Sequence, residues 1–522
     1  MKTIAKNAND FESIRTMDKG NCIYVDKTDH FHRLVTAQGE NLFFIARPRR
    51  FGKSLMITTF KYIFEGRREL FKDLKIDRTD YDWKVHPVIH IDFGCCAAAT
   101  YAVFKDALSE VMRISLEDSG YTYDKGKSPA MNFLDAIIWH FNRGTPCVVL
   151  IDEYDDPVAR ALANPDEAEL VRSELATIYG QIKSKTHMIR FLMITGVSKF
   201  TKMSVFSALS NLTDLTFSSD YAEMLGYTEE ELDEYFGEHM AAHAKVMGLS
   251  DEAYRAELKR WYNGYRFSPD NPVTVYNPVS TGLTFANPHD EFRGTWTATG
   301  RPSMLMNFIK REGLLAIDYE NGVTVGEGAF DVSDIRNLPA VGMLYQTGYL
   351  TIKDYESGDY TLGIPDEEVR RDLLQLVAAQ AAERDEGWVG DTVRHLRRCE
   401  FEDFFAGLRS LFAHLPYGSK EGRVHEMSYE RALKILFWSQ GLETVCEDRQ
   451  TGGRADIVVK YRKAIYVFEL KRDESADAAL AQIHEKDYAK PYLADGRPVW
   501  AIGLAFDSKT RQLVDAKEER LA

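Results

Sequence analysis

Gly52, Lys53 and Ser54 stand where an apolar run meets an amphipathic one, and their types and order suit the holding of a polyphosphate. Asn41–Ala46 (NLFFIA) reads as a buried strand, RPRRF as a turn, and GKSL as the opening of a helix. A strand, a tight loop and a helix in that order turn free backbone N–H groups toward an anion. Gly52 lets the backbone approach a phosphate. Lys53 reaches the β/γ-phosphates, and the Ser54 hydroxyl ligates Mg²⁺. The full pattern G-x-x-x-x-G-K-[ST] asks for glycine at position 47, where this chain has Arg47.

A second segment supports the first. Cys147–Asp155 (CVVLIDEYD) reads as a strand buried on both faces that ends in Asp152-Glu153. Open α/β sheets bind ligands at that carboxyl edge. Asp152 would hold Mg²⁺ through water, and Glu153 would polarise the attacking water. The plainer alternative is a pair of solvated acids capping the helix after Pro157. A third strand, Arg190–Thr195, runs into Gly196-Val197-Ser198-Lys199. Thr195 and Ser198 are both candidates for sensing a γ-phosphate there, with a simple turn as the alternative.

A different chemistry is written near the C-terminal end. In Gly452–Asp473 (GGRADIVVKYRKAIYVFELKRD), Asp456 begins one strand, Arg462-Lys463 makes a tight connection, and Ala464–Lys471 returns as its hairpin partner. Alternation puts Val467, Glu469 and Lys471 on one face and Phe468 and Leu470 on the other. Asp456 then lies beside an acid and a lysine. Two carboxylates of this kind ligate one or two Mg²⁺ ions, which stabilise charge on a scissile phosphate and acidify bound water. The lysine positions or deprotonates that water, or offsets phosphate charge. Hard oxygen ligands suit Mg²⁺, in keeping with the absence of His or Cys from the set. A surface hairpin with an ordinary charge pair is the alternative. Three features weigh against it: the apolar strand, the flexible Gly452-Gly453-Arg454, and a following helix that puts Gln482 and Lys486 on one face. Upstream, Glu426 or Glu430 could add a further carboxylate, and spacing does not choose between them.

The elements that position these residues follow from pattern. Strands are expected near Leu42–Ala46, Val88–Phe93, Val148–Asp152 and Phe191–Thr195, with helices between, including Phe104–Ser119 and Ala168–Lys183. That alternation predicts a parallel sheet covered on both faces. Asp26 or Thr28 is a candidate N-cap for a short helix. Glu229–Ala244 and Glu252–Tyr262 read as amphipathic helices, and WYNGYRF leads into short strands around Val273–Tyr276. Trp261, Tyr262, Tyr265 and Phe267 are expected in a core rather than on a base-stacking platform. Thr351–Gly363 reads as a hairpin, with helices over Glu367–Arg384 and Asp391–Leu411. With 522 residues the chain is long enough for two to four domains.

Net charge is −15, so there is no global basic signature for nucleic acid, although a local basic channel is compatible with it. Met1–Asp10 has no apolar core, so no secretory signal is expected. No apolar run approaches a membrane span. The six cysteines show no C-x-x-C pair and read as free thiols of a reducing cytoplasm, with no structural zinc.

These motifs together resemble a two-part bacterial family: an AAA-ATPase-like protein with a PD-(D/E)xK nuclease-superfamily domain at its C-terminus. The resemblance rests on YVDKT (Tyr24–Thr28), RPRRFGKSL (Arg47–Leu55), LIDEYD (Leu150–Asp155), ITGVSKF (Ile194–Phe200), YNGYRF (Tyr262–Phe267) and GRADIVV…YVFELK (Gly453–Lys471). It implies an α/β fold with a P-loop NTPase (AAA-like) core over 1–220 and a helical/winged-helix lid over 221–346. A connecting hairpin and helices follow over 347–411, then a nuclease-like α/β domain over 412–522. It implies ATP at Lys53 and Ser54 and magnesium at Asp152 with Glu153 beside it. Arg50 or Arg49 would stand in for missing backbone donors. The nuclease-like site it implies comprises Asp456, Glu469 and Lys471 with Gln482 nearby, served by Mg²⁺ or Mn²⁺. Ala455 occupies the position of the superfamily's proline.

The expected activity is therefore an ATPase coupled to a metal-dependent nuclease, on DNA in preference to RNA, in cytoplasmic defence or mobile-element biology. The alternative is a nucleotide-dependent switch or scaffold whose nuclease-like domain only binds nucleic acid or a protein partner. A small-molecule kinase would leave the C-terminal hairpin unexplained. Many relatives of this ATPase class complete the site with a neighbour's arginine, which leaves a homo-oligomer as an expectation. Lys199 and Arg301 are the in-chain sensor candidates.

Overall fold

Strands β1 (Leu42–Ala46) and β3 (Cys147–Asp152) are buried at every residue. Unbroken apolar runs suit strands covered on both faces, the condition of a parallel sheet. In the computed structural model they join β2 (Val88–Asp92), β4 (Ile189–Gly196) and a short edge strand, β5 (Thr213–Asp214). The order is β2-β3-β4-β1-β5, with every pair parallel. The structure describes residues 1–5, 9–96, 98–183, 185–199, 211–296, 321–330, 340–413, 423–446 and 455–522, the backbone alone at 423–428 and 446. The expected contributions of Phe200, Arg301, Gly452, Gly453, Arg454 and the Glu426 side chain lie outside the described residues.

Helices α1 (Lys53–Phe64), α2 (Tyr101–Asp118), α3 (Pro129–Asn142) and α4 (Pro165–Lys183) alternate with these strands. Each start has a local cause. For α3, Ser128 accepts the Met131 N–H at 3.3 Å, and Pro129 sits in the first turn, where its missing donor costs nothing. For α1, the residue before the helix is Gly52 at φ +85°, a conformation that favours glycine.

Beyond the sheet come α5 (Glu229–Met247), α6 (Asp251–Tyr262) and α7 (Pro278–Ala286). Thr228 and Glu231 form a reciprocal capping box at the start of α5, and Gly248 at φ +68° ends it. Leu232, Phe236, Tyr254, Leu258, Trp261, Tyr262 and Phe285 share one core with Ile23 and Val25. The aromatic residues of WYNGYRF are buried, as expected. Phe51 of the turn after β1 meets Tyr265 and Phe267 edge-on at 4.7 and 5.2 Å, which fixes that turn. The same compact unit contains α8 (Ala340–Gln346) and an antiparallel sheet of β6 (Val323–Gly326), β7 (Thr351–Glu356) and β8 (Asp359–Gly363).

The described residues from Glu368 onward form a second compact unit. Its helices are α9 (Glu367–Ala381), α10 (Glu386–Arg397), α11 (Phe401–Ala413) and α12 (Arg423–Ser439). The single helix expected over Asp391–Leu411 is two. Cys399 turns left-handed at φ +58°, and the Glu400 N–H donates to the His395 carbonyl at 2.9 Å, which closes α10 before α11 starts.

The sheet of this unit runs β9 (Glu443–Cys446), β10 (Ile457–Tyr461), β11 (Ala464–Arg472), β12 (Val499–Phe506) and β13 (Leu513–Arg520) in spatial order. Only β11–β12 is parallel, joined across α13 (Ala476–Glu485); the other pairs are antiparallel. Ile465 and Val467 pack with Ile483 of α13, whereas Phe468 meets Phe437 of α12 at 5.4 Å and Phe404 of α11 at 6.4 Å. Both faces of β11 are covered, which accounts for its unbroken apolar run and leaves Glu469–Lys471 at its carboxyl end.

Candidate functional site

In the first unit the carboxyl ends of β1 and β3 face a cavity of about 640 Å³. Arg49, Arg50, Gly52, Lys53, Ser54, Asp92 and Glu153 all line it. Lys53 is buried, its ammonium donating to the Pro48 carbonyl at 3.2 Å and lying 3.9 Å from the Glu153 carboxylate. Ser54 hydrogen-bonds to Asp152. Burial, and then the charge of Glu153, pushes the Asp152 carboxyl up to about 7. Glu153 itself turns left-handed at φ +50°, held there while its N–H donates to Asp152 at 3.0 Å. Arg50, left-handed at φ +70°, donates to the Thr295 carbonyl at 2.6 Å.

Arg47, which replaces the first glycine of the motif, is fully buried. It donates to the Ala46 and Thr216 carbonyls at 2.9 and 2.7 Å and lies 4.2 Å over the Phe267 ring. It braces the loop from behind instead of opening it.

Ser198 is not brought to this cavity. Its hydroxyl and N–H both donate to Asp155, at 2.5 and 2.8 Å, and the Val197 N–H adds a third bond at 3.1 Å. Tyr154 closes the same junction, its hydroxyl on the Ser198 carbonyl at 2.7 Å and its N–H on the Thr195 carbonyl at 3.1 Å. Thr195 is likewise wholly buried. Asp155 thus locks the tip of β4 to the turn that carries Glu153, and burial pushes its carboxyl up to about 6. The fit is tight: a Cβ on Gly196 would lie 2.4 Å from both the Asp155 carboxylate and the Tyr154 ring. Gly196→Ala is therefore expected to cost about 1–3 kcal/mol. An unchanged urea midpoint would show that the junction is looser than its geometry.

Sequence reasoning gave no role to Asp92, Asp155, Asp156 or Arg160. Asp92 ends β2 in register with Asp152 and lines the cavity. Its signal was present, since VIHID is another apolar run ending in an acid.

The far half of the cavity is apolar. Ile4, Ile23, Val25, Phe31, Leu225, Phe236, Val279 and Leu283 line it, the right surface for a flat heterocycle beside a phosphate subsite. YVDKT ties the N-terminal segment into this wall. Asp26 accepts the Thr28 N–H at 2.9 Å and the Lys75 N–H at 2.7 Å, while Lys27 donates to Glu231 at 2.6 Å and the Glu223 carbonyl at 2.7 Å.

In the second unit a cavity of about 220 Å³ is lined by Tyr429, Glu430, Asp456, Glu469, Leu470, Lys471, Arg472 and Phe506. Asp456 accepts the Leu470 N–H at 2.7 Å, and its own N–H donates to Glu469. Lys471 donates to Glu469 at 3.1 Å and to Gln482 at 2.5 Å, and Gln482 donates on to the Tyr488 hydroxyl at 3.2 Å. All four expected residues therefore meet, and Glu430 lines the same cavity. Lys486 caps the end of α13, its N–H donating to the Gln482 carbonyl at 3.0 Å. Burial, then Asp456, pushes the Glu469 carboxyl up to about 7. Its Oε2 is buried with no hydrogen-bond partner. An orphaned carboxylate oxygen beside a second acid fits a divalent cation, and hard oxygen donors favour Mg²⁺ or Mn²⁺.

Among the described residues no helix is long and apolar enough to cross a membrane. Residues 7–206 match a family model described as predicted AAA-ATPase, and residues 424–516 match one for the PD-(D/E)XK nuclease superfamily. The chain is 32% identical over 515 residues to an uncharacterized protein in the vnfD 5' region of Azotobacter chroococcum mcd 1, covering 95% of each.

Proposed function

The chain belongs to the AAA-ATPase-like family that carries a PD-(D/E)XK nuclease-superfamily domain, and from that premise we propose an ATP-binding, ATP-hydrolysing protein whose C-terminal unit is a metal-dependent nuclease acting on DNA. One observation carries this, and it occurs in both units. At each strand end a buried carboxyl, Asp152 or Glu469, lies beside a second acid with a lysine at hand, and burial pushes it up. Such a group is costly as an anion until a cation joins it.

In the first unit Lys53 takes the β/γ-phosphates and the α1 N-terminus supplies N–H donors. Ser54 and Asp152 are the residues to hold Mg²⁺, and Glu153 orients the attacking water. Arg50 lines the phosphate side of the cavity. Ser198 acts at one remove, holding Asp155 and through it the Glu153 turn.

In the second unit Asp456 and Glu469 are the metal ligands, with Glu430 as a further acid. A divalent cation held there would acidify a ligated water and offset charge on the scissile phosphate. Lys471, steered by Gln482 and Tyr488, positions that water or neutralises the developing phosphate charge. Arg472 lines the same cavity and suits a phosphate of the nucleic-acid backbone.

Purified protein incubated with supercoiled plasmid and Mg²⁺ or Mn²⁺, with and without ATP, tests both halves together. Nicking that EDTA abolishes is expected, alongside release of inorganic phosphate from ATP. Phosphate release without nicking under any metal would instead support a nucleotide-dependent switch or scaffold.

A further inference from the structure

Two arginines at the rim of the nucleotide cavity share one buried acid. Asp156 opens the short helix Asp156–Ala161, directly after the turn that carries Glu153. Its carboxylate accepts Arg160 Nε at 2.8 Å on one oxygen and Arg49 Nη2 at 3.4 Å on the other. The acid side chain is 7% exposed, whereas Arg160 is 55% and Arg49 38% exposed. All three line the same cavity as Lys53, Ser54 and Glu153. A pair of exposed arginines contributes little to stability. Two of them held on one buried carboxylate beside a phosphate loop have another use.

Of the in-chain sensors suggested by sequence, Lys199 does not compete for it. Lys199 is buried, 3.1 Å from Asp214 and 4.7 Å over the Phe217 ring, away from the cavity lining. Arg301 lies outside the described residues.

We propose that Arg49 and Arg160 are an in-chain clamp for the terminal phosphate of bound nucleoside triphosphate, with Asp156 positioning both. This rests on the nucleotide assignment above. The guanidinium fork matches phosphate oxygens in pairs, and its charge is permanent. In hydrolysis, water oxygen bonds to the γ-phosphorus as the bond to the β–γ bridging oxygen breaks. The electron pair leaves on the diphosphate, and the water proton departs by way of Glu153. Charge on the γ-phosphoryl and bridging oxygens is what the two guanidiniums offset. Arginines in that role accelerate phosphoryl transfer by about 10³–10⁵-fold. Supplying them from the same chain makes the site complete in one copy.

The test uses full-length Arg49→Ala, Arg160→Ala and the double variant. Calorimetry measures ADP and a non-hydrolysable ATP analogue, and phosphate release measures turnover. In the double variant ADP affinity is expected to stay within about threefold of the parent, because the diphosphate does not reach the clamp. Preference for the analogue over ADP is expected to fall about tenfold or more, and turnover about 100-fold or more. Arg160→Lys, which keeps the charge without the fork, is expected to recover part of the turnover. A double variant with the parent's turnover and analogue preference overturns the clamp. A parent that binds neither nucleotide overturns the nucleotide assignment and the clamp with it, a failure of a different kind. Mixing Lys53→Ala chains with Arg160→Ala chains is expected to restore nothing. Recovered turnover would place the arginine between copies and overturn the in-chain assignment.

Discussion

Plasmid nicking is expected to fall by at least about 100-fold when Asp456 becomes asparagine, with ATP turnover kept at the parent's level. Asparagine keeps the shape and still offers an oxygen to the Leu470 N–H, which Asp456 accepts at 2.7 Å. The hairpin therefore survives, and only the charge is lost. That charge matters because a hard cation at this site needs a second carboxylate beside Glu469. Glu469 is buried, and its Oε2 has no hydrogen-bond partner. With Asp456 neutral, Glu469 and Glu430 are the acids left in the cavity, and a hard cation loses one of its carboxylate ligands. Lys471→Ala should lose nicking as well, for a different reason. It removes a donor to both Glu469 and Gln482, and metal affinity should change less than the rate. Agarose gels over a metal titration separate the two effects. If Asp456→Asn nicks like the parent, the cleavage belongs to another site or another protein.

How much of this was legible depended on length scale. β1, β3 and β4 were readable because a strand covered on both faces has no polar alternation to confuse it. β5 is too short to show any period. The break at Cys399 was missed because a cysteine gives no warning of a left-handed turn, unlike the glycine at 248 that ends α5.

The residues proposed to act by chemical type (Lys53, Ser54, Asp152, Glu153, Asp456, Glu469, Lys471) are all named from spacing. Residues that act by place are not. Asp155 sits inside the quoted motif, yet its bonds to Val197 and Ser198 cross between strands that are distant in sequence. Arg160 lies on a short helix whose direction depends on the φ of Glu153. Ser198 shows the converse, a residue of the right type that the fold bonds to Asp155 instead of bringing to the cavity. Arg47 shows why a missing glycine need not mean a missing loop. Its side chain stays out of the cavity lining and ends on backbone carbonyls and the Phe267 ring.

Nucleotide binding is expected to be lost, by about 100-fold or more, in Lys53→Ala, whereas Glu153→Gln should keep the nucleotide and stop turning it over. The two variants probe opposite ends of one ion pair. Lys53 is 4% exposed, and its ammonium lies 3.9 Å from Glu153 and 3.2 Å from the Pro48 carbonyl. Without it, the cavity lining keeps Asp92, Glu153 and Asp156, and a polyphosphate meets those acids with Mg²⁺, Arg49, Arg50 and Arg160 left to oppose them. Repulsion of that kind acts on the ground state, so calorimetry should report it directly. Glu153→Gln changes the balance the other way. It removes one acid from beside Lys53 and leaves the phosphate contacts intact, so affinity should hold or rise. The group that orients and accepts from the attacking water is gone, so phosphate release should fall by about 100-fold or more. Melting curves taken with and without ATP give an independent readout. Glu153→Gln should show a larger upward shift with ATP than the parent, and Lys53→Ala none. Rapid turnover in Glu153→Gln would remove it as the water-orienting residue, and unchanged ATP affinity in Lys53→Ala would remove the phosphate-loop assignment itself.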